Sequence, residues 1–120
     1  TPPPKVPRRA RVIAAWQGAS LEAVPEFEIA PGDSCGLTTC TCPGTRFLIP
    51  SLCADCGGRI FECDRQEDQA AMHAYFAGLC DLGPLYCSYL YIDGAILVQI
   101  NPDLSKDKAR KYDKVMRQTP

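Results

Sequence analysis

CTCPGTRFLIPSLCADCGG, residues 40–58, carries four of the eight cysteines of the chain. A structural zinc ion takes four tetrahedral ligands, with sulfur at about 2.3 Å, and two short loops that each present two thiolates meet that need. In the Cys53-Ala-Asp-Cys56 turn both sulfurs can face one ion, and Gly57 after the second cysteine permits the tight or left-handed backbone that closes such a turn. Between the two cysteine pairs, residues 46–49 are long enough for a short strand that returns the chain. Cys40, Cys42, Cys53 and Cys56 are therefore the expected ligands of a structural zinc.

Cys53-Ala54-Asp55-Cys56-Gly57 resembles half of a zinc ribbon or a related zinc-knuckle domain, with Cys40-Thr41-Cys42 as a less usual first half. The resemblance covers about 20 residues and implies a metal site, not an activity. The alternative is disulfide bonding. The cysteine count is even, small oxidised domains use the same C-x-C and C-x-x-C spacings, and eight cysteines can pair in about 105 ways. Cys63, Cys80 and Cys87, with His73 as the sole histidine, offer a possible second Cys₃His site that leaves Cys35 free; a Cys80–Cys87 bridge or ordinary buried thiols compete with it. Zinc would place the protein inside the cell, and disulfides would place it in an extracellular or periplasmic compartment.

Around this region the chain reads as α+β. Residues 1–10, with four prolines and several positive charges, suit an extended arm, and 11–120 form one cysteine-rich domain. Residues 11–16 fit a strand or a short helix, while 26–30 alternate charged and apolar side chains as a half-exposed strand does. Short strands are expected at 46–49 and 59–62. Asp64 followed by Glu67 has capping-box spacing for a helix over about 65–79, with Met72, Phe76 and Leu79 on one stripe. Runs 85–92 and 95–100 flank Asp93-Gly94, which predicts a hairpin with a type I′ turn. Ser105 is placed to cap a closing helix over about 104–118. The chain begins with Thr1, which suits a processed product or an excerpt, and no run of about 18 apolar residues marks a membrane span.

The net charge of −1 hides an asymmetry: +4 over residues 1–11, −9 over 12–103 and +4 over 104–120. Phosphate backbones would be repelled by the middle and attracted only by the ends.

Catalytic motifs are sparse. Pro31-Gly32-Asp33-Ser34-Cys35-Gly36 resembles the nucleophile loop of chymotrypsin-like viral cysteine proteases, but those enzymes place the histidine before the nucleophile, whereas His73 follows Cys35. A thioredoxin-like dithiol needs a helix after C-x-x-C, and Gly57-Gly58 with a strand-like run follows instead. A zinc deaminase needs His-x-Glu and Pro-Cys-x-x-Cys, and neither is present. The expected function is a non-enzymatic, zinc-stabilised interaction module with a protein partner. The alternatives are a secreted, disulfide-stabilised binding or structural domain, and a nucleic-acid-associated zinc protein using its basic ends.

Overall fold

The computed structural model describes residues 6–120, so half of the expected arm, residues 1–5, lies outside the described residues. Five strands form one antiparallel sheet: β1 (Val24–Ile29), β2 (Gly44–Leu48), β3 (Gly57–Glu62), β4 (Tyr89–Asp93) and β5 (Ile96–Ile100), in the order β1-β2-β3-β5-β4. Helix α1 (Arg8–Gly18) precedes the sheet, α2 (Gln66–Gly78) joins β3 to β4, and α3 (Lys106–Gln118) closes the chain. The class is α+β, as the sequence predicts, with one helix more than expected. The zinc-knuckle detail is replaced by an ordinary hairpin.

Residues 11–16, ambiguous from sequence, lie within α1, which starts at Arg8. Alanines favour the helix, Pro7 sets its start, and Val12, Ile13 and Trp16 form its buried face. The helix ends in a Schellman arrangement: the N–H groups of Ser20 and Leu21 donate to the carbonyls of Gln17 and Trp16, with Ser20 at φ 63°.

Helices cover both faces of the sheet. On one face α1 and α3 pack on Phe47, Ile60, Val98 and Ile100. Trp16 sits at the centre, with ring centroids 5.1 Å from Phe47 and 5.2 Å from Tyr112, and its indole N–H donates to the Tyr112 carbonyl at 2.9 Å. On the other face Met72 and Phe76 of α2 pack on Phe61 and Leu97. Strand β5 lies between these layers and is buried at all five positions.

Three local expectations shift. Arg65, not Asp64, is the N-cap of α2, and no side chain caps that end, so the capping box does not form. The hairpin turn is Gly94-Ala95, one residue later than expected, because Asp93 pairs with Ile96. Gly94 has φ 60° while Ala95 is not in the left-handed region, which fits type II′ and excludes type I′. Residues 85–88 are not strand: two 3₁₀ turns, Leu79–Leu82 and Pro84–Tyr86, link α2 to β4, and Cys87 and Ser88 follow the second as irregular chain. Ser105 caps α3 as predicted, accepting from the Lys108 N–H.

Tyr112 ties α3 to the loop before β1, its hydroxyl donating to the Glu22 carbonyl at 2.6 Å. Its side chain is fully buried, and that burial, helped by the Glu22 carboxylate, pushes the phenol up to about 12. The unfolded phenol titrates near 10. Between these values the unfolded chain has released a proton that the native chain keeps, so this contribution is complete below pH 10 and is lost as pH rises toward 12. Denaturation at stepped alkaline pH should show a fall of about 2–3 kcal/mol from this group. Tyr112→Phe should flatten that limb while costing about 1 kcal/mol at neutral pH; an unchanged alkaline limb in the variant would refute the assignment.

Candidate functional site

All eight cysteines are paired: Cys35–Cys40, Cys42–Cys63, Cys53–Cys56 and Cys80–Cys87, with Cα separations of 5.2, 5.1, 5.0 and 4.3 Å. The four cysteines expected around one zinc are thus split among three bridges. Cys40 bonds back to Cys35, Cys42 crosses to Cys63, and only Cys53 and Cys56 stay together. The reason is the β2–β3 hairpin, which was expected to bring the two halves of a knuckle together. Its strands are paired along their length, and a five-residue strand spans roughly 16 Å. Cys40 and Cys42 therefore lie at the open end of the hairpin, and Cys53 and Cys56 at its turn.

The pairing register explains Cys42–Cys63. Gly44 faces Phe61, and the same register continued two residues outward sets Cys42 opposite Cys63. The suggested second site is also dispersed: Cys63 is held by Cys42, Cys80 and Cys87 bond to each other, and His73 lies half-exposed on α2. Among the described residues no group of three or more His, Cys, Asp or Glu side chains is arranged to hold a metal ion. This geometry favours the disulfide alternative over zinc.

Two of the bridges shape a surface feature. Cys35–Cys40 closes a short loop, beside which Ser34 and Thr39 form an isolated bridge, and Cys80–Cys87 closes the segment between α2 and β4. Between the two loops runs an apolar groove of about 530 Å³, lined by Gly36, Leu37, Tyr75, Leu79, Leu82 and Tyr86. Leu37 (82% exposed), Leu82 (59%), Leu85 (85%) and Tyr86 (54%) are half of the large apolar side chains that the described surface exposes, and they gather here. The tyrosine of α2 fixes one wall: the Leu37 N–H donates to the Tyr75 hydroxyl at 2.8 Å. Gly36 makes this approach possible. It has φ 85°, and a Cβ there would lie 2.7 Å from the Tyr75 hydroxyl.

At its inner end the groove meets a polar pocket of about 200 Å³ that shares Gly36, Tyr75, Leu79 and Tyr86 with it and adds Arg59, Ser88 and Gln99. The Arg59 guanidinium donates to the Gln99 side-chain oxygen at 3.3 Å and lies 5.9 Å from the Phe76 ring centroid. Gln99 in turn donates to the Ser88 hydroxyl at 2.9 Å. Burial, and next the neighbouring Arg46, lowers the Arg59 pKa from its ordinary value; an arginine stays charged regardless. Arg46 and Arg59 are direct cross-strand partners, but their surroundings differ. Arg46 has Glu26 at 3.6 Å and donates to the carbonyls of Phe47, Asp55 and Gly58. No carboxylate pairs with Arg59 among the described residues.

Sequence reading found the cysteines but not the groove, and Arg59 drew attention only as part of a strand. No family model matches the chain, and neither a curated protein nor a solved structure is similar to it.

The four bridges differ in loop length and exposure, and so in what they contribute. Cys42–Cys63 closes the longest loop, with a sequence separation of 21, and both sulfurs are buried. Replacing both cysteines by alanine should cost about 3 kcal/mol, against about 2 kcal/mol for Cys53 and Cys56, whose separation is 3. Cys80 is exposed and Cys87 half-buried, whereas Cys56 is buried beside an exposed Cys53, so brief reduction followed by alkylation and peptide mapping should label the Cys80–Cys87 pair first and the Cys42–Cys63 pair last. The reverse order would contradict this ranking.

Proposed function

We propose that the chain is a non-enzymatic binding domain, stabilised by four disulfides, that works in an oxidising compartment and takes its partner in the groove between the Cys35–Cys40 and Cys80–Cys87 loops. The observation that carries this reading is the use of every cysteine as half of a bridge. Disulfides persist outside the reducing cytosol, and small domains there use them to supplement a limited core. A sulfur held in a disulfide is no thiolate nucleophile and no zinc ligand, so the bridges account for the cysteines as structure. The groove supplies the surface: an exposed apolar patch beside convergent polar groups is the usual form of a recognition site.

Three of the nine basic side chains described at the two ends are paired within the fold, Arg8 with Asp93, Arg9 with Glu62 at 3.2 Å and Arg117 with Asp113 at 2.9 Å. No described helix is long and apolar enough to cross a membrane.

Intact mass of the protein isolated without reductant should lie eight hydrogens below the reduced value, with no thiol alkylated before reduction and no metal retained. Reductant should then lower the thermal midpoint, and chelator should leave it unchanged. One zinc per chain, with Cys40, Cys42, Cys53 and Cys56 becoming alkylatable only after chelation, would overturn the reading.

A further inference from the structure

The polar pocket and the apolar groove adjoin, with Gly36, Tyr75, Leu79 and Tyr86 lining both, and their far ends differ in chemistry. The inner end holds a guanidinium with five N–H donors, of which one donates to Gln99. Gln99 is itself buried and anchored on Ser88, so the fork is held in place while most of its donors remain uncommitted. The charge is also uncompensated. The other two arginines of the −9 middle segment pair with Glu26 and Glu67, and the charge directly across from Arg59 is another guanidinium. A charge so placed is stabilised by an anion that brings two acceptor oxygens into the fork. The outer end is aliphatic and aromatic, and the one backbone donor noted there, the Leu37 N–H, is already spent on Tyr75. An occupant with its own amides would leave them unpaired against this wall; a hydrocarbon would not.

Resting on the reading of the groove as the binding face, we propose that its ligand is an apolar monocarboxylate, a fatty acid, with its carboxylate on Arg59 and its chain along Leu37, Tyr75, Leu79 and Leu82. The two disulfide-closed loops hold the walls of the groove apart, so the cleft exists before the ligand arrives and little ordering cost opposes binding.

The test is calorimetric titration of the oxidised full chain with hexanoate, octanoate and decanoate, and in parallel with octanol and with a short peptide ending in a free C-terminal leucine. Affinity for the acids should rise up to about fourfold per methylene while the chain remains in the groove. Arg59→Gln should weaken octanoate about tenfold to a hundredfold and leave octanol unchanged. Leu82→Ser, at an exposed position that the core does not need, should flatten the dependence on chain length. Circular dichroism of each variant verifies its fold, and Leu82→Ser keeps the proposal testable if Arg59→Gln does not fold.

Octanoate binding that is indifferent to Arg59, or octanol binding as tightly as octanoate, would overturn the proposal and leave the groove as a binding face. So would the peptide binding in preference to the acids. If no probe enters the groove of the oxidised protein, the fatty-acid proposal falls, and the reading beneath it stands or falls on the mass and alkylation measurement.

Discussion

Strand β5 is the constraint on which the other elements depend. Ile96, Leu97, Val98, Gln99 and Ile100 are all buried, with helices over both faces of the sheet at this point. An antiparallel sheet normally leaves one face to water and shows alternating polarity; a strand covered on both sides is apolar throughout and sits centrally. That requirement places β3 and β4 on either side of β5 and calls for helices on both sides, α1 and α3 over Val98 and Ile100 and α2 over Leu97. It also settles residues 11–16, which fit a strand or a short helix, as part of α1: Trp16 of that helix packs between Phe47 and Tyr112 above the sheet.

The disulfides do a different job. None has a sequence separation above 21, and each closes a local loop or the end of one hairpin. The β2–β3 hairpin is tied at its open end by Cys42–Cys63 and within its turn by Cys53–Cys56, while the other two bridges set the loops that border the groove. Long-range order comes from the core, and the bridges stiffen the segments between its elements. This division corrects the zinc expectation in physical terms. A knuckle would have needed the two cysteine pairs to converge, and a fully paired hairpin separates them.

What was legible in the sequence follows the same division. The strand runs, the 66–78 helix, the Ser105 cap and the Gly-centred hairpin each depend on neighbours within a few residues, and each is found near its expected position. The α2 start and the hairpin turn shift by one residue, with Gly94 rather than Asp93 supplying the positive φ, and β4 begins four residues later than expected. The cysteine pairing was out of reach because it depends on strand register. One signal was available, since Cys42 and Cys63 stand at equal distances outside the β2–β3 pairing, but using it requires knowing where the hairpin turns. The local spacing of Cys40, Cys42, Cys53 and Cys56 is satisfied equally by a metal and by bridges.

The groove was illegible for a stronger reason. Its residues come from the loop at Gly36 and Leu37, from β3 at Arg59, from α2 at Tyr75, from the turns at Leu82 and Tyr86, and from β5 at Gln99, with no periodicity joining them. Gln99 connects the groove to the central constraint. It is the single polar side chain on a strand buried on both faces, and a buried amide must be hydrogen-bonded. The structure satisfies it with Ser88 on one side and the Arg59 guanidinium on the other. A leucine at 99 would continue the apolar strand but leave Arg59 without its anchor. The one break in the pattern of β5 therefore sets a cation at the bottom of the apolar groove, where its positive charge meets the low-dielectric wall that strengthens any contact with an anion.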